Sequence, residues 1–138
     1  MGLAVRPEGR EPADPPAPRV ILLDTNALIW LDANHRRARP LVEHSAPLRI
    51  SPASLLELQF LAESGRIELA LEDVLNDDRW EVDEPPALAW MLRAAEERWT
   101  RDPFDRLIVA HARLRGWRLA TADAAILDRL RARDRLEL

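Results

Sequence analysis

The chain has 138 residues, a formal net charge of −4 and a hydrophobic content of 47%, values that suit one compact domain rather than a disordered polymer. It has no Cys, and its 20 Lys and Arg positions are all Arg, which excludes disulfides, Cys-ligated zinc, a P-loop and Schiff-base chemistry. The modest negative charge argues against a broad basic nucleic-acid surface. It still allows a nuclease whose acids are concentrated in one pocket.

Residues 1–18 contain five prolines and few side chains that could be buried, so we predict a disordered N-terminal tail there and one domain over 19–138. The start of the chain lacks the apolar core of a signal peptide. No apolar run approaches the roughly 18–20 residues that a membrane span requires. We therefore expect a cytoplasmic protein without a membrane partner.

The stretch that organises the domain is a run of four branched apolar residues, 20–23, which ends at Asp24. Such a run predicts a strand over 19–23 that is buried on both faces, as in a parallel sheet. A carboxylate just past the carboxyl end of such a strand lies where open α/β sheets bind ligands. We expect Asn26 to cap the helix that follows, which extends to about Asp32.

The rest of the chain alternates between helical patterns and short apolar strands. Helices are predicted at 36–43, 52–63, 67–76, 86–99, 103–115 and 124–133, with Ser51, Asp102 and Asp123 as N-caps and Gly116 as a stop. Short strands are predicted at 48–50, 80–82, 118–120 and 136–138. This order predicts an α/β three-layer sandwich with a mainly parallel central sheet flanked by helices.

Four acids are candidates for a site, although each has a simpler structural explanation. Asp24, Asp105 and Asp123 stand at predicted helix N-termini, where capping or the helix dipole explains an acid. Glu57 lies inside a helix among leucines, and a partly buried acid needs a partner such as a metal ion. The joint placement of the acids at one sheet edge favours a site. Clustered carboxylates suit Mg²⁺ or Mn²⁺.

Four segments together resemble the motifs of PIN-domain ribonucleases, and in particular the VapC-type toxins of bacterial toxin–antitoxin pairs. They are Leu23-Asp24-Thr25-Asn26-Ala27-Leu28, Ser54-Leu55-Leu56-Glu57, Asp102-Pro103-Phe104-Asp105-Arg106-Leu107-Ile108 and Thr121-Ala122-Asp123. The resemblance implies catalytic, metal-binding roles for Asp24, Glu57, Asp105 and Asp123. It implies supporting roles for Thr25, Asn26 and Thr121, while Asp102 matches an extra acid that we interpret as a helix cap or an outer neighbour of the site.

The same resemblance implies Mg²⁺- or Mn²⁺-dependent RNA cleavage with water as the nucleophile. It also implies a homodimer and a small antitoxin partner, and apolar residues of 28–31 not needed for the core are expected to face one of them. Two positions depart from the family pattern. Trp99 stands near where relatives often carry a His, and His111 stands where a Gln is common. We interpret His111 as a partly buried polar residue rather than a ligand.

Two alternatives remain open from the sequence. Phosphoryl-transfer domains of the haloacid-dehalogenase or receiver kind also place an Asp after the first strand, but they need a Lys near the phosphate, and this chain has none. A catalytically inactive PIN domain that acts as an RNA- or protein-binding module would retain the same fold. A cleavage assay with metal, with and without EDTA, separates that module from a nuclease.

Overall fold

A computed structural model describes residues 19–138, and the tail predicted at 1–18 lies outside the described residues. The strands are short and form one sheet with the order β3-β2-β1-β4-β5. Every neighbouring pair is parallel, so the predicted α/β class is confirmed. The strands are β1 (Ile21–Leu23), β2 (Leu48–Ile50), β3 (Glu81–Val82), β4 (Arg118–Thr121) and β5 (Arg135–Glu137).

Helices fill the connections between these strands, since parallel strands need long crossover connections. They are α1 (Thr25–Asp32), α2 (Arg39–Glu43), α3 (Pro52–Glu63), α4 (Leu71–Leu75), α5 (Ala87–Ala95), α6 (Pro103–Arg115) and α7 (Ala124–Leu127). Short 3₁₀ turns occur at Arg36–Ala38 and Ala132–Asp134. No helix within 19–138 is long and apolar enough to cross a bilayer.

The central strand β1 is covered on both faces, which explains its unbroken apolar sequence. Ile21 and Leu23 pack into a core shared with α1, α2 and Leu58 of α3. Leu22 points to the opposite face and packs with α5 and α6, because successive strand residues alternate in direction. The result is the predicted three-layer sandwich, with β1 as its buried centre.

Local capping signals set the ends of α3 and α6 where the sequence predicts them. Ser51 accepts a hydrogen bond from the Ala53 amide and begins α3. Asp102 accepts from two backbone amides and begins α6, which ends at Gly116 with a left-handed φ of 70°. Gly adopts this conformation without the steric penalty that a Cβ would impose.

The first helix begins earlier than predicted. Asp24 rather than Asn26 is its N-cap, because the Asp24 Oδ1 atom accepts a hydrogen bond from the Ala27 amide at 2.7 Å. Asn26 is therefore a residue of the first helical turn. The carboxylate that ends β1 thus also starts α1, with no intervening loop.

Three predicted helices are longer than the observed ones, and tertiary contacts explain two of the differences. Residues 67–70 are not helical, and partly buried Ile67 and Leu69 alternate with exposed neighbours against the core. The last helix ends at Leu127 rather than near residue 133. The Arg135 guanidinium donates hydrogen bonds to the carbonyl oxygens of Leu127 and Leu130, which a longer helix would use for its own amides. The helix predicted to reach Trp99 ends at Ala95.

His111 is a polar residue of the core, and it is more deeply buried than the sequence predicts. Its side chain is fully buried, and its Nε2 atom lies 2.7 Å from the Asp83 carboxylate. Arg115 donates to the same carboxylate, and burial lowers the pKa of His111. Because Asp83 follows β3 directly, the contact ties that edge of the sheet to α6 and has a structural role away from the four acids.

Candidate metal and nuclease site

Two of the four candidate acids follow neighbouring parallel strands. Asp24 comes directly after β1, and Asp123 comes two residues after β4. The two strands are paired so that Leu23 lies opposite Ala120. The Asp24 amide also donates to the Ala120 carbonyl at 3.1 Å. Both carboxylates therefore stand at the carboxyl edge of the sheet, where open α/β folds bind their ligands.

The other two acids reach the same edge from helices. Glu57 is in α3, which follows β2, and Asp105 is in the first turn of α6. All four acids line one small pocket of about 40 Å³, together with Thr25, Asn26, Ile108 and Ile126. Four segments that are distant in sequence thus contribute one carboxylate each.

Asp24 is the most buried member of this set, with 6% of its surface exposed. Burial raises the pKa of its carboxyl to about 6, and the charges of Glu57 and Asp123 add to the rise. Hydrogen bonds from the Thr121 side chain and the Ala27 amide oppose the shift, because they stabilise the carboxylate form.

More carboxylates raise the pKa of Asp105 than raise the pKa of Asp24. Burial is the largest cause that raises its pKa to about 7, followed by repulsion from Asp102, Asp123, Glu57 and Asp24. Burial likewise raises the pKa of Glu57, while a hydrogen bond from Thr25 lowers it. Groups with such perturbed pKa values in a pocket are typical of functional sites.

The supporting polar residues organise the carboxylates. Thr121 is fully buried, and its Oγ1 atom accepts a hydrogen bond from the Asp123 amide at 3.0 Å. The same side chain lowers the pKa of Asp24, so one threonine acts on both acids that follow β1 and β4. Asn26 is exposed at the mouth of the pocket.

Asp102 caps α6 rather than lining the pocket. Its Oδ1 atom accepts hydrogen bonds from the Phe104 amide at 2.8 Å and the Asp105 amide at 3.2 Å. Its charge is nevertheless near enough to raise the pKa values of Asp105 and Glu57. This geometry agrees with our interpretation of Asp102 as a cap adjacent to the site.

Ser54 belongs to the second motif segment, but the sequence analysis gave it no role in the site. It is fully buried, and its Oγ atom lies 3.0 Å from Thr25 Oγ1. Its spacing is the signal that could have identified it. A residue three positions before Glu57 lies on the same face of the helix.

The donor set fits a hard divalent cation by its chemistry. Within 19–138, no Arg or His forms an ion pair with any of the four acids, so their mutual repulsion is not neutralised by the described side chains. In the same part of the chain, no group of three or more acidic or His side chains is arranged to hold an ion. The fit to a divalent cation therefore rests on the chemical type of the donors, four carboxylates in one pocket, and not on a preformed coordination geometry.

A larger concavity elsewhere on the surface has a different character. It has a volume of about 450 Å³ and lies at the amino ends of β2 and β3, between Leu41, Leu48 and Trp80. None of the four candidate acids lines it. We assign the candidate site by its chemistry rather than by pocket size.

Comparison with known proteins agrees with this geometry. The family model described as PIN domain matches residues 21–132. Ribonuclease VapC22 of Mycobacterium tuberculosis is 35% identical over 112 residues, which cover 75% of this chain and 86% of that protein.

Solved structures with the same fold include a toxin–antitoxin complex from Klebsiella pneumoniae, with a TM-score of 0.62 and 19% identity over 86% of this chain and 99% of that chain. VapBC2 from Rickettsia felis, bound to a DNA fragment from its promoter, also has a TM-score of 0.62 and 19% identity, over 86% of this chain and 98% of that chain. At this identity both structures bear on the fold alone. The family match and the curated relative together show that the chain belongs to the PIN-domain family and is of the VapC type.

Proposed function

We propose that this protein is a metal-dependent endoribonuclease and the toxin of a type II toxin–antitoxin pair that acts in the cytoplasm. The observation that carries the proposal is the pocket that Asp24, Glu57, Asp105 and Asp123 line together. The identity to a VapC ribonuclease supports RNA as the substrate.

The four carboxylates would hold Mg²⁺ or Mn²⁺, and Asp24 is the most buried of them. A bound divalent ion supplies Lewis acidity, which activates water as the nucleophile and stabilises negative charge on the phosphate. The raised pKa values of Asp24 and Asp105 describe the site without a cation. An adjacent positive charge favours the ionised carboxylates.

The residues around the acids would keep them in place during the reaction. The Thr121 hydroxyl oxygen accepts the Asp123 amide and so fixes the loop that carries this acid, and the Ala27 amide holds Asp24 at the start of α1. Arg36, Arg39 and Arg106 are candidates for phosphate contacts of the RNA. Arg106 is held near the site by a 2.8 Å hydrogen bond from its Nε atom to the Thr100 carbonyl.

A cleavage assay tests the nuclease directly. We expect the purified protein to cut RNA with Mg²⁺ or Mn²⁺ and to lose this activity with EDTA. Asp24→Asn or Asp105→Asn should abolish cleavage with the fold intact, because each change removes a charged oxygen ligand. Glu68→Gln, which changes an exposed acid outside the pocket, is the matched control. Undiminished cleavage by Asp105→Asn would remove that residue from the mechanism.

A growth experiment tests the toxin. The solved relatives in complex with antitoxins support a small protein partner for this chain. We expect induction of the wild-type protein in bacteria to slow growth, and co-expression of the antitoxin encoded beside it to relieve this. Normal growth despite abundant, folded protein would contradict the toxin role, and the Asp105→Asn variant serves as the inactive control.

The same assays address the inactive RNA- or protein-binding module. Such a module would bind RNA or a partner without metal-dependent cleavage. The presence of all four acids in one pocket favours the nuclease.

A further inference from the structure

A basic segment follows α1 in a chain whose net charge is −4. Residues 33–42 contain no Asp or Glu, and their four basic side chains, which we call the basic patch, are all exposed: His35, Arg36, Arg37 and Arg39. Within 19–138, none of these three arginines forms an ion pair with an Asp or Glu side chain. The described carboxylates therefore leave the positive charge of the patch without a partner.

Local contacts give the basic patch a defined shape. The Arg37 guanidinium carbon lies 4.7 Å from the centre of the Trp30 ring in a cation–π contact, and the His35 ring stacks on Trp30 with 5.8 Å between ring centres. The His35 Nδ1 atom also accepts a hydrogen bond from the Arg37 amide at 3.0 Å. His35, Arg36 and Arg39 line one concavity of about 260 Å³. The patch is thus an organised surface rather than a set of independent side chains.

A series of hydrogen bonds joins the basic patch to the acid pocket. The Arg37 Nη2 atom donates to the Leu138 carbonyl at 3.4 Å, and the Leu138 amide donates to the Thr121 carbonyl at 3.1 Å. Thr121 Oγ1 accepts a hydrogen bond from the Asp123 amide at 3.0 Å. Leu138 follows β5, which runs parallel to β4 with Glu137 opposite Thr121. The Arg37 guanidinium therefore lies at the carboxyl edge of the sheet, where the acids stand.

The charge of the acid pocket explains why a nuclease needs such a patch. Each nucleotide of an RNA strand carries a negative phosphate, and the four carboxylates of the pocket repel it. Positive side chains at the same edge of the sheet offset this repulsion. The guanidinium of Arg also presents paired donors that match the oxygen atoms of a phosphate. A strand that enters the pocket at its cut site continues past the rim, so phosphates on one side of the cut can reach the patch.

We propose that the basic patch binds phosphates of the RNA strand beside the acid pocket, with Arg37 as the contact that reaches the carboxyl edge of the sheet. The choice of RNA rests on the ribonuclease function proposed above. Contacts of this kind are made equally to substrate and transition state, so their loss raises KM and leaves kcat unchanged. They read no base sequence, because the phosphate is the same at every nucleotide.

RNA binding in EDTA tests the patch in the absence of metal-dependent cleavage. The probe is a fluorescein-labelled single-stranded RNA of mixed sequence, and fluorescence anisotropy measures its affinity over a range of salt concentrations. Changing Arg36, Arg37 and Arg39 together to Gln should weaken binding by about 10–100-fold near 0.1 M salt. The slope of log affinity against log salt should become shallower by about 2, because each phosphate contact of a single strand contributes about 0.7.

A second triple variant is the matched control, since it removes the same charge elsewhere. Arg66, Arg93 and Arg131 are exposed, and none of them lines the acid pocket or the concavity of the patch. Arg93 and Arg131 line a concavity with Gly116, near the amino end of β4. Changing all three to Gln should leave RNA affinity and its salt slope as in the wild type. Equal losses in the two triple variants would overturn the proposal, because net charge alone would then explain the binding.

Two further variants keep the test decisive if the patch triple variant does not fold, as judged by circular dichroism. The Arg36→Gln, Arg39→Gln double variant leaves the contact between Arg37 and Trp30 in place, and its slope should become shallower by about 1.4. Arg37→Lys keeps the charge and should keep the wild-type slope. A double variant with wild-type affinity and slope would overturn the proposal.

Cleavage assays with Mn²⁺ distinguish this proposal from the proposed function. We expect the patch triple variant to show a raised KM and the wild-type kcat. If the wild type cuts RNA and the patch variant matches it in RNA affinity and KM, the patch does not bind the substrate and the nuclease stands. An acidic protein partner would then account for the patch. If the patch variant loses RNA affinity in EDTA but the wild type cuts no RNA with Mn²⁺ or Mg²⁺, the nuclease fails and the patch is an RNA-binding surface.

Discussion

Asp105 is the residue whose pKa shows most clearly the repulsion among the clustered carboxylates. Its carboxyl lies at the start of α6, where the helix dipole favours negative charge, but burial and four neighbouring acids raise its pKa to about 7. The unfolded chain has neither the burial nor the neighbours. Folding without a cation therefore makes this carboxyl harder to ionise, and a bound cation would reverse the effect.

The pH dependence of stability follows from the sign of that shift. A carboxyl whose folded pKa is raised contributes stability below its unfolded pKa, near 3.8, and loses it as the pH rises through about 7. Without metal, Asp105→Asn should thus be as stable as the wild type or more stable at pH 8, and this advantage should be smaller at pH 5. Thermal melts in EDTA at both pH values, with Glu68→Gln as control, measure it. A variant less stable than the wild type at pH 8 would assign Asp105 to helix stabilisation alone.

At the scale of the secondary-structure element, the stability of α6 depends on its N-cap, Asp102. Asp102 accepts two amides of the first turn, and Gly116 ends the helix. We predict that Asp102→Ala lowers the free energy of unfolding by about 1 kcal/mol. Asp102→Asn should cost less, because its amide oxygen can still accept the same bonds. Urea denaturation of both variants tests this, and equal losses would show that the charge of Asp102, rather than its capping bonds, stabilises α6.

An exposed apolar face on α5 is the feature that concerns the whole molecule. Leu88, Met91 and Leu92 are 73%, 47% and 62% exposed, and their spacing places them on one side of the helix. Such a patch is typical of an interface, and we propose that a second copy of the chain covers it. Of the apolar residues 28–31, some of which the sequence assigns to the core and the others to an interface, Leu28 and Leu31 are in the core, whereas Ile29 and Trp30 are partly buried.

Light scattering across a range of protein concentrations tests this homodimer. We predict a dimer for the wild type and a monomer for Leu92→Glu, because a charge at the centre of an apolar interface is costly to bury. Leu75→Glu changes a similarly exposed leucine on α4 and should leave the dimer intact. A wild type that remains monomeric at high concentration would exclude the homodimer, and the patch would then be available to the antitoxin.

The sequence by itself determined the features that local chemistry controls. The apolar run of β1 ends at Asp24 because a strand buried on both faces excludes charge, and Ser51, Asp102 and Gly116 set helix ends through their own hydrogen bonds or φ angle. The order of these signals predicted the α/β sandwich and placed the candidate acids at helix starts. Tertiary contacts decided the rest. The Arg135 guanidinium donates to the carbonyl of Leu127, the last residue of α7, and to that of Leu130 beyond it. Packing of Ile67 and Leu69 against the core keeps residues 67–70 out of a helix.

Only the tertiary structure brings Asp24, Glu57, Asp105 and Asp123 to one pocket and buries the first three enough to raise their pKa values. The contact between Thr25 and Ser54 also depends on it. These properties arise between segments far apart in sequence, and no local pattern encodes the distances between them. Desolvation and repulsion act through space, so the sequence could propose the four acids, whereas the fold decided how strongly they interact.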